Sequence, residues 1–146
     1  ADDATDAWLF HTRLVRISDA LRDPDPLRAL NRLSLLADGF GGGSKIGASL
    51  AQFAHGPARQ CVNSRSVVVI LSDGYDTDPP AALTDALARL RKRGGRIIWL
   101  NPLKGWKDYA PVTAAMAAAL PHLDLFAAAT TLNDLAALGP QLERLT

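Results

Sequence analysis

Residues 67–74 read VVVILSDG, and this stretch decides the fold class of the chain. It begins with an uninterrupted apolar, mostly β-branched run, which is typical of a strand buried on both faces of a parallel sheet. A second run of this kind, RIIWL at 96–100, follows a segment with helical spacing. Strands that alternate with helices indicate right-handed crossovers. The sequence therefore predicts an α/β protein with three layers, in which helices cover both faces of a mainly parallel sheet.

The segments around these two strands carry further helix and strand signals. Residues 7–17 are rich in aromatic and β-branched side chains, which indicates one strand or a tight hairpin. Residues 122–126 predict a short final strand, and Thr131 with Asp134 resembles a capping box that begins the last helix. Apolar residues at helical spacing predict core-facing helices: Leu27, Leu30, Leu33 and Leu36; Ile46, Leu50, Phe53 and Ala54; Leu83, Ala86, Leu87 and Leu90; and Val112, Met116 and Leu120 in an alanine-rich segment.

Length and composition limit the class of protein. The 146 residues fit one domain, predicted over 7–140, with 1–6 as a flexible or trimmed terminus. With 48% hydrophobic and 21% charged residues, the chain can bury enough apolar surface to fold. The net charge of +1 provides no general attraction for nucleic acid. No apolar run reaches the ~20 residues of a transmembrane segment, and a lone cysteine favours a reducing, cytoplasmic location.

A cluster of acidic residues follows the first buried strand. In open α/β sheets, ligands bind beyond the carboxyl ends of the strands, which directs attention to residues 71–74 and to the turn at 100–102. Three carboxylates follow the first of these strands: Asp73, Asp76 and Asp78. Magnesium and calcium prefer hard oxygen ligands, so this loop is a candidate cation site. Asp73 leaves the strand directly, and Gly74 permits a sharp turn. The alternative is that Asp73 and Gly74 serve only as turn residues.

A second source of oxygen lies in the glycine-rich segment 41–47, where Ser44 precedes a predicted helix. Its hydroxyl could bind a metal or cap the helix. The order Gly-Ser-Lys differs from that of a phosphate-binding loop, so phosphate binding is disfavoured. The three histidines lack zinc-ligand spacing. Cys61 has no histidine or aspartate beside it, and we expect it to fill apolar space. No catalytic residue is assigned.

Four motifs together resemble one family. They are FHTRL at 10–14, GGSKIG at 42–47, VILSDGYD at 69–76 and IWLNPL at 98–103. This combination resembles the CoxE-like branch of von Willebrand factor A (VWA) domains, and the resemblance extends over roughly Trp8 to Leu138. VWA domains are Rossmann-like and carry a metal-ion-dependent adhesion site (MIDAS). That site is built from an Asp-x-Ser-x-Ser loop, a threonine on a second loop and an aspartate on a third.

The resemblance assigns two of these ligands. Asp73 occupies the position of the third-loop aspartate, and Ser44 occupies that of the threonine and keeps its hydroxyl. The Asp-x-Ser-x-Ser loop is absent. In the family it follows the first, central strand, upstream of the segment that begins here near Ala7, so we expect this chain to lack that strand. Ser44 and Asp73 alone would leave most of an octahedral shell to water.

The resemblance also implies a function. The expected metal is Mg²⁺, or Mn²⁺ or Ca²⁺, and a protein partner would offer a carboxylate to it. CoxE-like proteins are bacterial accessory factors, for which a MoxR-type AAA+ ATPase is the implied partner and maturation of a molybdenum enzyme such as carbon monoxide dehydrogenase the implied role. The alternative is a magnesium-dependent hydrolase or phosphotransferase that uses Asp73 and Asp76. A third possibility is a scaffold that binds no metal.

Overall fold

The computed structural model describes residues 5–10, 13–37, 45–76, 79–103 and 113–145. The strands are β1 (Trp8–Phe10), β2 (Leu14–Arg16), β3 (Val67–Leu71), β4 (Arg96–Asn101) and β5 (Leu125–Ala128). The helices are α1 (Ser18–Leu21), α2 (Pro26–Leu36), α3 (Ile46–His55), α4 (Ala58–Cys61), α5 (Pro80–Lys92), α6 (Ala114–Ala119) and α7 (Leu132–Leu145). A 3-10 turn over Leu120–His122 joins α6 to β5.

The strands of the described residues form two sheets. β3, β4 and β5 are parallel and lie in that order, with Val69 opposite Ile98 and Trp99 opposite Phe126. β1 and β2 form an antiparallel hairpin, with Leu9 opposite Val15. Of the two alternatives for residues 7–17, one strand or a tight hairpin, the structure shows the hairpin. The parallel α/β arrangement is confirmed.

β4 is the middle strand of the three parallel strands, and helices cover both of its faces. Ile97 and Trp99 join a core formed with α3, α5 and α6. Ile98 and Leu100 alternate with them and contact Leu138 of α7 on the opposite face. All four predicted core residues of α5 are fully buried, and the stripe of α3 is buried as well. The three-layer α/β/α fold follows from this alternation.

The prediction that β3 is buried on both faces is wrong. Ile70 is buried, but Val69 is 52% exposed and Leu71 is 60% exposed. The physical reason is that β3 lies at an edge of its sheet and pairs only with β4 among the described residues. On the face where Val69 and Leu71 point, the cluster around Leu138 of α7 covers β4 and reaches only Val67 at the start of β3.

The stripe of α2 also differs from its prediction. The helix forms as expected, because the Asp25 side chain accepts a hydrogen bond from the Leu27 amide and Pro26 occupies the first turn. However, no residue of α2 is buried, and Leu27 is 73% exposed. An apolar stripe at helical spacing shows which face of a helix can be buried. Burial also requires another element that covers this face.

One boundary differs from the one that the sequence predicts. The last strand runs over Leu125–Ala128, so His122 lies in the preceding turn. The alanine-rich helix is described from Ala114 onward, and Val112 lies outside the described residues. The last helix, α7, ends at Leu145, which packs against the cluster around Leu138. The capping box is confirmed, because Thr131 and Asp134 bond each other's amides reciprocally.

Candidate functional site

Asp73 follows β3 directly and is half-buried at the carboxyl end of the sheet. Its Oδ1 accepts a hydrogen bond from the Tyr75 amide at 3.0 Å. Asp73 forms no ion pair, and its Oδ2 accepts no hydrogen bond, with any of the described residues. Within the described ranges, one carboxylate oxygen of Asp73 is thus without a hydrogen-bond donor. The bond to Tyr75 is the turn chemistry that the sequence offers as an alternative, and it uses only the other oxygen.

The turn after Asp73 is fixed by its packing against α6. Gly74 has a φ of +79°, in the left-handed region that favours glycine. A Cβ at this position would lie 2.3 Å from the Sδ of Met116, so no larger residue fits without displacement. Thr113 donates a hydrogen bond from Oγ1 to the Gly74 carbonyl at 3.1 Å. The loop is therefore held tightly against the start of α6.

Two residues of β4 hold the same loop from the side of the sheet. Asn101 is fully buried, and its Nδ2 donates to the Asp73 carbonyl at 3.2 Å. Trp99 donates from Nε1 to the Ser72 carbonyl at 2.9 Å. The sequence points to the turn at Asn101 but does not identify these two contacts. The available signal is a polar amide that directly follows a buried apolar strand.

Asp76 has a structural partner at the start of α3. Its Oδ1 accepts from the Ile46 amide at 3.2 Å and its Oδ2 accepts from the Gly47 amide at 2.8 Å. The residue at the N-cap, Lys45, makes no side-chain capping bond. Asp76 therefore satisfies helix amides that would otherwise be orphans, and its negative charge opposes the positive end of the helix dipole. This contact joins the loop after β3 to the segment that follows Ser44.

The structure describes one of the two predicted metal ligands. Asp73 lies at the sheet edge, whereas Ser44 is outside the described residues, as is Asp78. Within the described ranges there is no group of three or more histidine, cysteine or acidic residues that could hold a metal. Asp73 fits a magnesium-type ion in the nature of its donor, a hard carboxylate oxygen, but the described residues supply one such ligand rather than a shell. The metal site stays a prediction.

The structure also gives the contacts of two other residues with potentially reactive side chains, Cys61 and His55. Cys61 donates from Sγ to the Pro57 carbonyl at 3.1 Å and packs against the core, and burial raises the pKa of its thiol. A raised pKa lowers the thiolate fraction, which disfavours a nucleophilic role. His55 is exposed beside Asp85, and His11 lies outside the described residues.

The family is decided by a match that covers most of the chain. The model of the family described as "VWA domain containing CoxE-like protein" matches residues 3–135. The chain belongs to this family. The match includes all of the strands and helices from β1 to α6 that position Asp73. No curated protein matches this CoxE-like VWA domain.

Membership of the family agrees with the observed architecture. A parallel sheet with helices on both faces and an acidic residue after a strand is the arrangement that the VWA resemblance implies. None of the helices in the described ranges is long and apolar enough to cross a membrane.

Proposed function

We propose that this CoxE-like VWA domain recognises a protein partner through a divalent cation held beside Asp73, without catalysis of its own. The observation that supports the proposal is the Oδ2 of Asp73 at the carboxyl end of the parallel sheet, which accepts no hydrogen bond from the part of the chain that the structure describes. Ligand sites of open α/β sheets form at this edge. When bound, Mg²⁺, Mn²⁺ or Ca²⁺ would supply a positive charge that attracts a carboxylate of the partner.

Two residues would hold the ion in this proposal, Asp73 through its carboxylate and Ser44 through its hydroxyl. The contact between Asp76 and the amides of Ile46 and Gly47 supports it, because that contact ties the segment just after Ser44 to the loop of Asp73. Partner carboxylate and water would fill the other positions of the shell. This arrangement is our proposal for Ser44, whose side chain lies outside the described residues.

The partner that we propose is a MoxR-type AAA+ ATPase in the bacterial cytoplasm, and the client is a molybdenum enzyme such as carbon monoxide dehydrogenase. Both are what the resemblance to CoxE-like proteins implies, and membership of the CoxE-like family supports them. An accessory role requires reversible binding, and a contact completed by one metal–carboxylate bond at an exposed edge fits that need. The partner and the client are independent parts of the proposal.

The first test is titration of the protein with Mg²⁺ and Mn²⁺ by calorimetry. We expect one site, with binding lost in Asp73→Asn, which keeps the shape of the side chain and removes its charge. We expect weaker binding in Ser44→Ala and retention in Ser44→Thr. Asp85→Asn is the matched control, since Asp85 is an exposed acid that pairs with Arg89 on α5. Equal binding by the Asp73 and Asp85 variants would contradict the site.

The second test is binding to a purified MoxR-type AAA+ ATPase. We expect association in the presence of Mg²⁺, loss on addition of chelator and loss in Asp73→Asn. Association that ignores both the chelator and the substitution would contradict a role for the metal. No association under any condition would contradict the choice of partner.

The alternative of a magnesium-dependent hydrolase or phosphotransferase has less support. It requires Asp73 and Asp76 to act together on a substrate, but both oxygens of Asp76 accept hydrogen bonds from amides of α3. Assays with phosphoester substrates distinguish the two hypotheses. Turnover that disappears in Asp73→Asn would favour the enzyme over the recognition domain.

A further inference from the structure

Exposed basic residues collect at the amino end of the parallel sheet, opposite the edge that carries Asp73. They come from three segments: Arg59 from α4, Lys92 and Arg93 from the end of α5, and Arg96 from the first position of β4. These four residues are called the basic cluster. Because the strands are parallel, the segments that precede β3 and β4 meet at the same end of the sheet.

Hydrogen bonds hold the segments of the basic cluster together. Arg93 donates from Nη1 to the Arg59 carbonyl at 3.4 Å, so the end of α5 contacts α4. The Arg96 amide donates to the Ser66 carbonyl at 3.1 Å, just before β3. Ser66 in turn donates from Oγ to the Cys61 carbonyl at 3.0 Å, at the end of α4. The backbones that carry the four basic side chains are therefore fixed relative to one another.

The charges of the basic cluster form no ion pair with any of the described residues. The acid just before β5, Asp124, pairs instead with Arg91, at 3.0 Å. Arg93 and Arg96 donate hydrogen bonds from their side chains, but both acceptors are neutral backbone carbonyls. Within the described ranges, four positive charges thus lie together without a carboxylate to neutralise them.

This concentration of charge does not follow from the overall composition. The chain has 16 basic and 15 acidic residues, and its net charge is only +1. Acidic side chains lie at the opposite edge of the sheet, where Asp73 and Asp76 follow β3. The two ends of the sheet therefore differ in sign, and the amino end provides a local attraction for anions that the net charge does not.

Compensation of a helix dipole explains only part of the basic cluster. Cations near the carboxyl end of a helix stabilise it, and Lys92 and Arg93 lie at that end of α5. Arg96, however, lies in a strand, and strands have only small net dipoles. Arg59 lies in a helix of four residues, which has few aligned peptide dipoles. Stability of α5 is therefore not a sufficient reason for the whole cluster.

The side chains of the cluster and its surroundings indicate the class of ligand. Three of the four residues are arginines, whose planar guanidinium groups match carboxylates in two parallel hydrogen bonds. The segments 57–66 and 89–96, which carry the cluster, contain no aromatic residue on which nucleic acid bases could stack. None of the exposed large apolar residues lies in these segments, so they offer no anchor for a membrane. The surface therefore fits an acidic segment of a protein best.

We propose that the basic cluster binds an acidic segment of a protein partner, whose carboxylates pair with Arg59, Lys92, Arg93 and Arg96. The fixed backbones set the spacing of the four cations, and complementary charge brings the acidic segment to this end of the sheet. The contact is exposed to solvent, so dissolved salt weakens it. The proposal requires no metal at Asp73, because the cluster lies at the opposite end of the strands.

The experiment measures binding of a fluorescent peptide, in which glutamates alternate with glycines, by anisotropy in the presence of a metal chelator. We expect saturable binding that weakens as sodium chloride is added. The double variant Arg59→Gln/Lys92→Gln should bind about tenfold more weakly, because two charge-assisted contacts are lost. Neither side chain forms a hydrogen bond with any described residue, so the substitutions remove charge without breaking a described contact.

The matched control is Arg28→Gln/Arg32→Gln on α2, which removes two charges from other exposed arginines. Both double variants have the same net charge, so a difference in their binding depends on the position of the lost charges. We expect the control to change the affinity less than about twofold. Arg59→Glu/Lys92→Glu should bind a peptide in which lysines alternate with glycines, and such a gain cannot result from unfolding. Circular dichroism checks the fold of each variant.

Three outcomes would overturn the proposal. The first two are absence of saturable binding to the glutamate peptide and equal loss of affinity in the two neutralised double variants. The third is tighter binding of a DNA duplex, or of phosphatidylserine vesicles, than of the peptide at the same salt concentration, which would assign the cluster to nucleic acid or to a membrane. Because chelator is present throughout, a failure here leaves the cation proposal to be decided by its own titration.

Discussion

β3 and β4 are adjacent strands with similar sequences and opposite environments. Both are apolar and β-branched, yet Ile98 is fully buried, whereas Val69, its register partner on β3, is 52% exposed. β4 has a strand on each side and helices on both faces, while β3 has a described neighbour on one side only. The comparison teaches that an apolar sequence shows only that a strand can be buried. Whether the strand is buried depends on neighbouring strands and helices, which its own sequence does not specify.

The largest expected effect compares this register pair directly. Ile98→Ala should lower the free energy of unfolding by about 2–5 kcal/mol, because it leaves a cavity between the sheet and α7. Val69→Ala should cost less than about 1 kcal/mol, since its side chain is half exposed. Urea unfolding of both variants measures the difference. Losses of equal size would mean that β3 is covered as fully as β4 in solution, and the comparison would fail.

The next effect concerns the loop through which β3 leaves the sheet. Gly74→Ala should destabilise the fold by about 1–3 kcal/mol, because its φ is positive and the added Cβ would meet Met116. Gly139→Ala is the control, since it lies in α7 with nothing within 4 Å of an added Cβ. That change should be neutral or stabilising by up to about 1 kcal/mol. Thermal unfolding compares the two, and similar shifts would show that the loop yields to the extra carbon.

Two acids on this loop sharpen the comparison further. Asp76→Ala should cost about 0.5–2 kcal/mol, because the amides of Ile46 and Gly47 lose their acceptor. Among the described contacts, Asp73→Ala removes the bond to the Tyr75 amide, and it should have a smaller effect on stability in the absence of metal. Chemical denaturation in chelator measures both. A larger loss for the Asp73 variant would indicate a structural role for this acid.

The smallest effect concerns the β1–β2 hairpin, where Asp6 pairs with Arg16 at the surface. Hydrogen bonds from Arg16 and Ser18 lower the pKa of Asp6 below its ordinary value of 3.8. Its contribution to stability is therefore complete well above pH 3.8 and is lost as the pH falls through the lowered pKa of the folded state. The melting temperatures of the parent and Asp6→Asn should converge on acidification.

The same exposed pair with Arg16 should also weaken at high salt, because mobile ions screen charges at the surface. Repeating the melting curves in concentrated sodium chloride measures this. A difference between parent and Asp6→Asn that ignores both pH and salt would contradict the electrostatic account.

Local patterns of the sequence predict those features whose causes are local. The buried stripe of α5 and the capping box at Thr131 depend on contacts within a few residues, and both are confirmed. The position of Asp73 after β3 follows from the rule for strand ends, and its turn with Tyr75 is also local. These parts of the fold and the site are accessible from sequence for that reason.

Other features depend on partners that are distant in sequence. Asp76 bonds amides that lie 30 residues away, so a local pattern cannot distinguish its capping role from a ligand role. The exposure of Leu71 and of Leu27 depends on which surfaces cover β3 and α2, and composition says nothing about that. Asn101 is similar, because its contact with the Asp73 carbonyl requires two strands in register. Tertiary context decides all of these.

The helix α3 connects two parts of the molecule that are remote in sequence. Asp76 accepts hydrogen bonds from amides at its amino end, and Phe53, near its carboxyl end, packs edge-on against Trp8. With ten residues, the helix spans about 15 Å. The acidic loop after β3 and the first strand of the hairpin are therefore anchored near opposite ends of the same element.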